Sequence, residues 1–316
     1  MYKILTDQDV LEFAHGKKMM ALIATIERAL REHAVNTLVA PPRFRLNMKQ
    51  GDLVFTAGAA TGVEKVGGFR VYDTYDNELE GHEQIVCVFD SDTGIFKGLV
   101  IGNLLGAIRT GAIGGAAINA MARPDADHIA VIGTGLQASF QLQAAVAVRD
   151  PKKIRAYSRN PDNRRKFARE MTKILSIEVT PVNSARDCLE DADIVICATN
   201  SGTPVLKSEW LKPGSHINTL GPKFATRHEV PLDVARHSAV IATDSLDQLR
   251  AYPTPHFLVG TSDENRIIPL TDIVVGKATG RHSPNDITLF CSVGLAGTEV
   301  VIANEIIKTT SATGMR

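Results

Sequence analysis

His128-Ile129-Ala130-Val131-Ile132-Gly133-Thr134-Gly135-Leu136-Gln137-Ala138 decides the reading of this 316-residue chain. A strand-like apolar run leads straight into the pattern GxGxxA, and an Ala- and Gln-rich helical stretch follows at once. Each position has a physical reason. Gly133 permits a tight turn, Gly135 lets the backbone approach a pyrophosphate, and Ala138 keeps helix close to strand while the helix N-terminus faces the phosphates. Such a string alone is common in ordinary turns. Its strand–turn–helix setting and the βαβ pattern after it make it a nicotinamide dinucleotide site, with Thr134, Leu136 and Gln137 filling the turn.

Working outward, the next strand of the unit ends in Tyr157-Ser158-Arg159-Asn160, with Arg164 and Arg165 just beyond. An NAD site usually carries Asp or Glu here for the ribose 2′-hydroxyl. No acid occurs before Asp162. A small polar residue followed by arginines suits a 2′-phosphate, so Ser158, Arg159, Asn160 and Arg164 favour NADP(H) and leave NAD(H) open. The loop opening with Thr199 and Asn200, after an apolar run at 194–198, lies where ligands of open α/β sheets bind and is a second expected cofactor contact.

Short apolar runs alternate with helical stretches from 128 to 242, which predicts a parallel sheet with helices on both faces. Before it, residues 103–121 read as a helix whose four glycines let another backbone come close. The first hundred residues predict a helix near 19–33 and strands at 52–56, 65–75, 84–89 and 95–101. The turn Ser91-Asp92-Thr93-Gly94 joins the last two. The fold class is therefore α/β: a Rossmann-type parallel-sheet domain plus an α+β domain.

Bulk properties narrow the function. Thirty-five Lys and Arg balance thirty-five Asp and Glu, which gives no reason to expect nucleic acid or an anionic membrane as partner. No signal-peptide pattern opens the chain, and no apolar run is read as approaching the roughly 18 residues of a membrane span. Four scattered cysteines without CxxC spacing predict a reduced, cytoplasmic protein with no structural zinc.

Several segments occur together in one known order: Pro42-Arg43, Val63-Glu64-Lys65, Arg109-Thr110-Gly111-Ala112, the GTGLQA turn, His216-Ile217-Asn218, Ile287-Thr288-Leu289-Phe290 and Ser292-Val293-Gly294-Leu295-Ala296. Over nearly the whole length the chain resembles the ornithine cyclodeaminase/mu-crystallin family, the RTGA segment shortly before GTGxQA being the most specific part. The resemblance implies a homodimer in which 1–118 and 294–316 form a substrate-binding and dimerisation domain around a Rossmann domain at 119–293. It implies hydride transfer between nicotinamide and the α-carbon of a small-molecule amino acid or imine substrate. Arg43 and Arg109 would clamp the carboxylate, Lys65, on a strand, would be the acid–base group, and Thr110 would touch the cofactor.

One position departs from the family. Ornithine cyclodeaminases carry Asp two residues after the glycine that follows the HIN-type strand, where it holds the substrate amine. That glycine is Gly221 here and the position is Lys223, with Glu229 at the family's later acidic position. A cation cannot hold an ammonium group, so Lys223 argues against ornithine deamination and suits an anionic substrate group. Arg70 is a further candidate for a second carboxylate, and His82 for a proton. The expectation is an NAD(P)H-dependent imine or imino-acid reductase, reversibly an amino-acid dehydrogenase. A cyclodeaminating lyase with bound NAD and a non-catalytic NADPH-dependent binding protein remain the alternatives.

Overall fold

The computed structural model describes residues 2–75 and 81–310. Seven strands form the first sheet: β1 (Lys3–Thr6), β2 (Leu38–Val39), β3 (Phe44–Asn47), β4 (Asp52–Ala60), β5 (Val66–Asp73), β6 (Ile85–Asp90) and β7 (Phe96–Ile101). Their order is β1-β7-β6-β5-β4-β2, with β3 also on β4, and all pairs are antiparallel except β1 with β7. The short β1 and β3 escape the sequence reading, as do the brief helices and turns after residue 185. Two helices, α1 (Asp7–Leu11) and α2 (Gly16–Ala34), follow β1. Thr6 N–H donates to the Asp9 carboxylate at 2.8 Å, a capping pair that opens α1.

Helix α3 (Leu104–Met121) carries the chain to the second sheet. That sheet has eight parallel strands: β8 (His128–Ile132), β9 (Lys153–Tyr157), β10 (Val179–Pro181), β11 (Ile194–Cys197), β12 (His216–Thr219), β15 (Val240–Thr243), β16 (Ile267–Pro269) and β17 (Thr288–Cys291). The short hairpin of β13 (Lys223–Phe224) and β14 (Arg227–His228) stands apart. The order β10-β9-β8-β11-β12-β17-β15-β16 reverses direction between β8 and β11. A crevice opens at such a switch point, beyond the carboxyl ends of the strands. Helices α4 (Leu136–Val148) and α5 (Pro161–Leu175) link β8, β9 and β10. The protein is thus an α/β protein with a Rossmann-like sheet plus a mixed-sheet domain.

Helix α6 (Thr298–Thr309) returns to the first sheet and packs on β5, β6 and β7. A Cβ on Gly68 would meet Val300 of α6, so the even-numbered residues of β5, including Arg70 and Tyr72, face this helix. Residues 311–316, the end of the segment expected to join the first domain, lie outside the described residues.

Helix α3 corrects one sequence reading. It is 18 residues long and apolar enough, by composition, to cross a membrane, but 78% of that window is buried inside the protein. Its glycines explain the burial: Cβ atoms at Gly111 and Gly115 would stand 2.8 Å from the Phe140 carbonyl and 2.6 Å from Ile23. Helices α2 and α4 close on it there, and it packs as a core helix.

Candidate active site

The cofactor turn forms as its sequence requires. Gly133 adopts φ +105°, and a Cβ there would sit 2.1 Å from the Ala198 carbonyl oxygen at the end of β11. Only glycine allows that approach. Gly135 caps α4 and has open space where a Cβ would project, while Thr134 is half-buried and Leu136 is 48% exposed. The first N–H groups of a helix have no intrahelical partner, and Gln137 Oε1 is buried with no partner in the protein. Open space, helix donors and an orphaned polar atom fit a dinucleotide pyrophosphate. Thr199 lies beside this turn: its N–H and Oγ1 both donate to Glu229 at 2.8 Å. Asn200 is exposed, and its carbonyl accepts from Arg227.

The expected 2′-phosphate set divides. Asn160 caps α5, accepting from the N–H groups of Asp162 and Asn163 at 2.8 and 3.2 Å. Arg164 is buried and reaches back to Ser158 O at 3.0 Å and Asn183 Oδ1 at 2.8 Å. Those two residues build the loop, because their polar atoms are committed inside the protein. Ser158 Oγ donates to Asn160 O at 3.1 Å, and Arg159 stands exposed at the tip. A 2′-phosphate would therefore meet Arg159 first.

Lys65 is not where the resemblance puts it. It precedes β5 rather than lying in it, adopts φ +48°, and its ammonium pairs with Asp92 Oδ2 at 2.7 Å with both side chains about half exposed. Its left-handed backbone lies outside the strand that carries Arg70, and its side chain turns to the Ser91–Gly94 turn at Asp92. His82 pairs with Asp73 at 2.9 Å.

Arg70 occupies the inner face instead. Its guanidinium packs against Gly106 of α3 and bonds Gln84 Oε1 and Glu299 Oε1, the latter at 3.3 Å. Arg109, one turn further along α3, binds the same Glu299 oxygen. Arg43 donates to Gln248 at 3.0 Å, to Tyr72 at 3.3 Å and to the Val293 carbonyl. A Cβ on Gly294 would meet Arg43 at 2.9 Å and Arg109 at 3.1 Å, which brings those two guanidinium groups together. Two arginines thus hold one buried carboxylate, and Arg43 lies beside them at Gly294. Burial alone would raise the Glu299 pKa, but Arg109 and Arg70 outweigh it and hold the group below its usual range.

The cluster has capacity left over. Arg109 Nε and Nη1 and Glu299 Oε2 are buried without a hydrogen-bond partner. Unspent buried donors of this kind call for a ligand or an ordered water. The neighbouring Thr110 ties the cluster to the cofactor helix: its hydroxyl donates to Gly106 O and its carbonyl accepts from Gln141 of α4, both at 2.8 Å. The arginine cluster is thus linked through Thr110 to the helix that follows the dinucleotide turn. A recess of about 520 Å³ lined by Asp9, Phe13, Lys17 and Glu305 contains none of these residues.

The profile of the ornithine cyclodeaminase/mu-crystallin family matches residues 4–314. The chain belongs to that family. A Δ1-pyrroline-2-carboxylate reductase of Bacillus cereus is 30% identical over 296 residues, 90% of each chain. The solved structure of Thermococcus litoralis Δ1-pyrroline-2-carboxylate reductase with NADH and L-proline is 30% identical, with TM-score 0.86 and 96% of each chain covered. An archaeal alanine dehydrogenase dimer with bound NAD is 25% identical, with TM-score 0.85, covering 97% of this chain and 95% of that one. Family membership makes the chain an NAD(P)-dependent oxidoreductase of the imine-reducing, amino-acid-dehydrogenating kind. Two residues of the arrangement are weakly marked in sequence: Arg70 stands there without a place in the clamp, and Glu299 gives no signal at all.

Proposed function

We propose that this member of the family reduces the C=N bond of an imine or imino acid that carries an α-carboxylate, and runs in reverse as an amino-acid dehydrogenase. The observation that carries the reading is the convergence of Arg70 and Arg109 on Glu299, with Arg43 beside Arg109 at Gly294 and Arg109 donors unspent. A planar guanidinium binds a carboxylate at two points, which fixes the α-carbon for hydride transfer. Lys223 in the same crevice speaks against a substrate that must bring a second ammonium group, and hence against the ornithine lyase reading.

NADP(H) is proposed as the preferred carrier, on Arg159 and the absence of an acid at the end of β9; the two relatives described above with cofactor hold NADH and NAD. A homodimer is proposed from the uncovered face of the first sheet. Register aligns Ile4, Leu99, Cys87, Phe69 and Ala57 in one row and Ile101, Ile85, Val71, Phe55 and Phe44 in the next. These residues are exposed or half-buried, and so broad an apolar face needs a partner.

The test is loss of reduced-nicotinamide absorbance, with NADPH and NADH in parallel. Substrates are Δ1-pyrroline-2-carboxylate, other cyclic imines, and pyruvate or oxaloacetate with ammonia. Turnover of an imine, faster with NADPH, supports both parts. Equal or faster turnover with NADH overturns the carrier preference alone. Ammonia release from ornithine without net cofactor change favours the lyase, and NADPH binding with no turnover favours a binding protein.

A further inference from the structure

The crevice poses a problem that the arginines cannot solve. Reduction of a C=N bond needs a proton as well as a hydride, and guanidinium groups do not release theirs in proteins. Lys65, the expected donor, is exposed and paired with Asp92. Several other groups around the site are held by their own partners. Arg70 and Arg109 hold Glu299. Asp244 accepts from the N–H groups of Val293 and Gly294 at 2.8 Å. Glu229 accepts from Thr199, Thr219, Leu220 and Gly221. Tyr72 accepts from Arg43. Burial pushes Tyr252 up to about 12 and its hydroxyl lies on Val293 O at 3.2 Å; burial likewise pushes Cys291 up to about 12 and His256 down to about 3. None of those three exchanges a proton near neutrality.

Lys223 remains. It lies two residues beyond Gly221, whose Cβ position is 2.3 Å from the Thr199 carbonyl, so its hairpin starts at the cofactor loop. Its ammonium donates to the Ser292 carbonyl. The next carbonyl, Val293, takes Arg43, and the next residue, Gly294, lies against Arg43 and Arg109. The lysine is therefore placed between the carboxylate clamp and the dinucleotide crevice.

We propose that Lys223 is the catalytic acid–base of this chain, a role that rests on the reductase reading above. A bound reduced nicotinamide supplies the hydride. As that hydride forms the new C–H bond, the π pair of the C=N bond moves to nitrogen and takes a proton from Lys223 Nζ, leaving an amine product and a neutral lysine that is reprotonated from water. In the oxidative direction neutral Lys223 removes the N–H proton. The environment suits both forms: burial lowers the Lys223 pKa and Arg43 adds to the shift, while Asp244 and Glu229 oppose it. His256 and Cys291 face the same ammonium as neutral groups.

The experiment compares wild type with Lys223→Met and Lys223→Arg on an imine that the wild type reduces. Both variants should lose about 10²–10⁴-fold in kcat/KM while NADPH affinity, read by the fluorescence of bound NADPH, is retained. In wild type, reduction should fall above the Lys223 pKa and oxidation should rise through it; both limbs should vanish in Lys223→Met. Arginine keeps the charge but not the transferable proton, so a Lys223→Arg variant with near-wild-type turnover overturns the proposal. Competitive acetylation of the native protein across pH, read by mass spectrometry, gives a second measurement that needs no variant and no turnover. Titration of Lys223 clearly below exposed lysines is expected, and an ordinary lysine profile overturns the role. A wild type silent on every imine sinks the reductase reading itself, whereas the Lys223→Arg and acetylation results fall on Lys223 alone.

Discussion

Lys223 and Arg43 are held on neighbouring carbonyls: the ammonium donates to Ser292 O and the guanidinium to Val293 O. Asp244 fixes this rail from the other side through the N–H groups of Val293 and Gly294, and Gly294, at φ +89°, turns the chain so that Arg43 and Arg109 close over it. The segment after β17 thus sets the spacing of a proton donor and a carboxylate clamp that arrive from three distant parts of the chain. Such spacing matters because misplacement by about 1 Å can cost two orders of magnitude in rate.

Removing Lys65 should be nearly silent. Its side chain is 58% exposed and contacts Asp92 rather than the arginines. Lys65→Ala is expected to keep kcat/KM within about threefold of wild type, as surface substitutions usually do. Steady-state kinetics on the imine substrate provides the check, and a loss of two orders of magnitude would return Lys65 to the mechanism.

The two glycines of the cofactor turn should fail in different ways. Gly133→Ala drives a Cβ against the Ala198 carbonyl at a φ that alanine resists, so the protein should lose stability. Gly135→Ala meets only open space and should fold with an unchanged melting temperature but bind NADPH at least about tenfold more weakly, because the methyl enters the pyrophosphate path. Melting curves and cofactor titration separate the two. Undiminished NADPH affinity in Gly135→Ala would place the pyrophosphate elsewhere.

Glu299→Gln removes the carboxylate shared by Arg70 and Arg109 and leaves buried cations uncompensated, at a cost of about 3–5 kcal/mol. Pyruvate, as a replacement carboxylate, should raise the melting temperature of the variant more than that of wild type. The folded pKa of Glu299 is depressed, so its stabilisation is present above the unfolded value of 4.5 and is lost as pH falls through the folded value. The variant should lack that acid limb. Equal pyruvate shifts in both proteins would mean that the cluster does not take carboxylates.

His216 predicts a second pH effect. It is fully buried between Thr288 and Asn218, at 2.8 Å from each, and burial pushes its pKa down to about 3 from 6.5. Below pH 6.5 the unfolded chain binds a proton that the folded one refuses, so stability falls between pH 6.5 and about 3, by several kcal/mol on the order of 1.4 per unit. Urea midpoints at pH 7 and pH 4.5 should drop further for wild type than for His216→Gln. Parallel drops would assign the acid sensitivity to other groups.

By itself the sequence determined what is encoded locally. The apolar strand, GxGxxA and helix spacing at 128–148, the helix at 103–121 with its close-approach glycines, and the alternating elements after it are set by neighbours a few residues apart, and the structure has them in those places. Family order added the arginines at 43 and 109. Tertiary structure alone decided which of two cations near β5 joins the cluster: Arg70, within the strand, reaches Glu299, while Lys65, left-handed and outside it, pairs with Asp92. It alone brought Glu299 to Arg109 across 190 residues and Lys223 to Ser292 across 69. Periodicity records the conformation of a segment and the face it buries. Which charged groups from separate segments share one desolvated site is fixed only when helix and sheets close on each other.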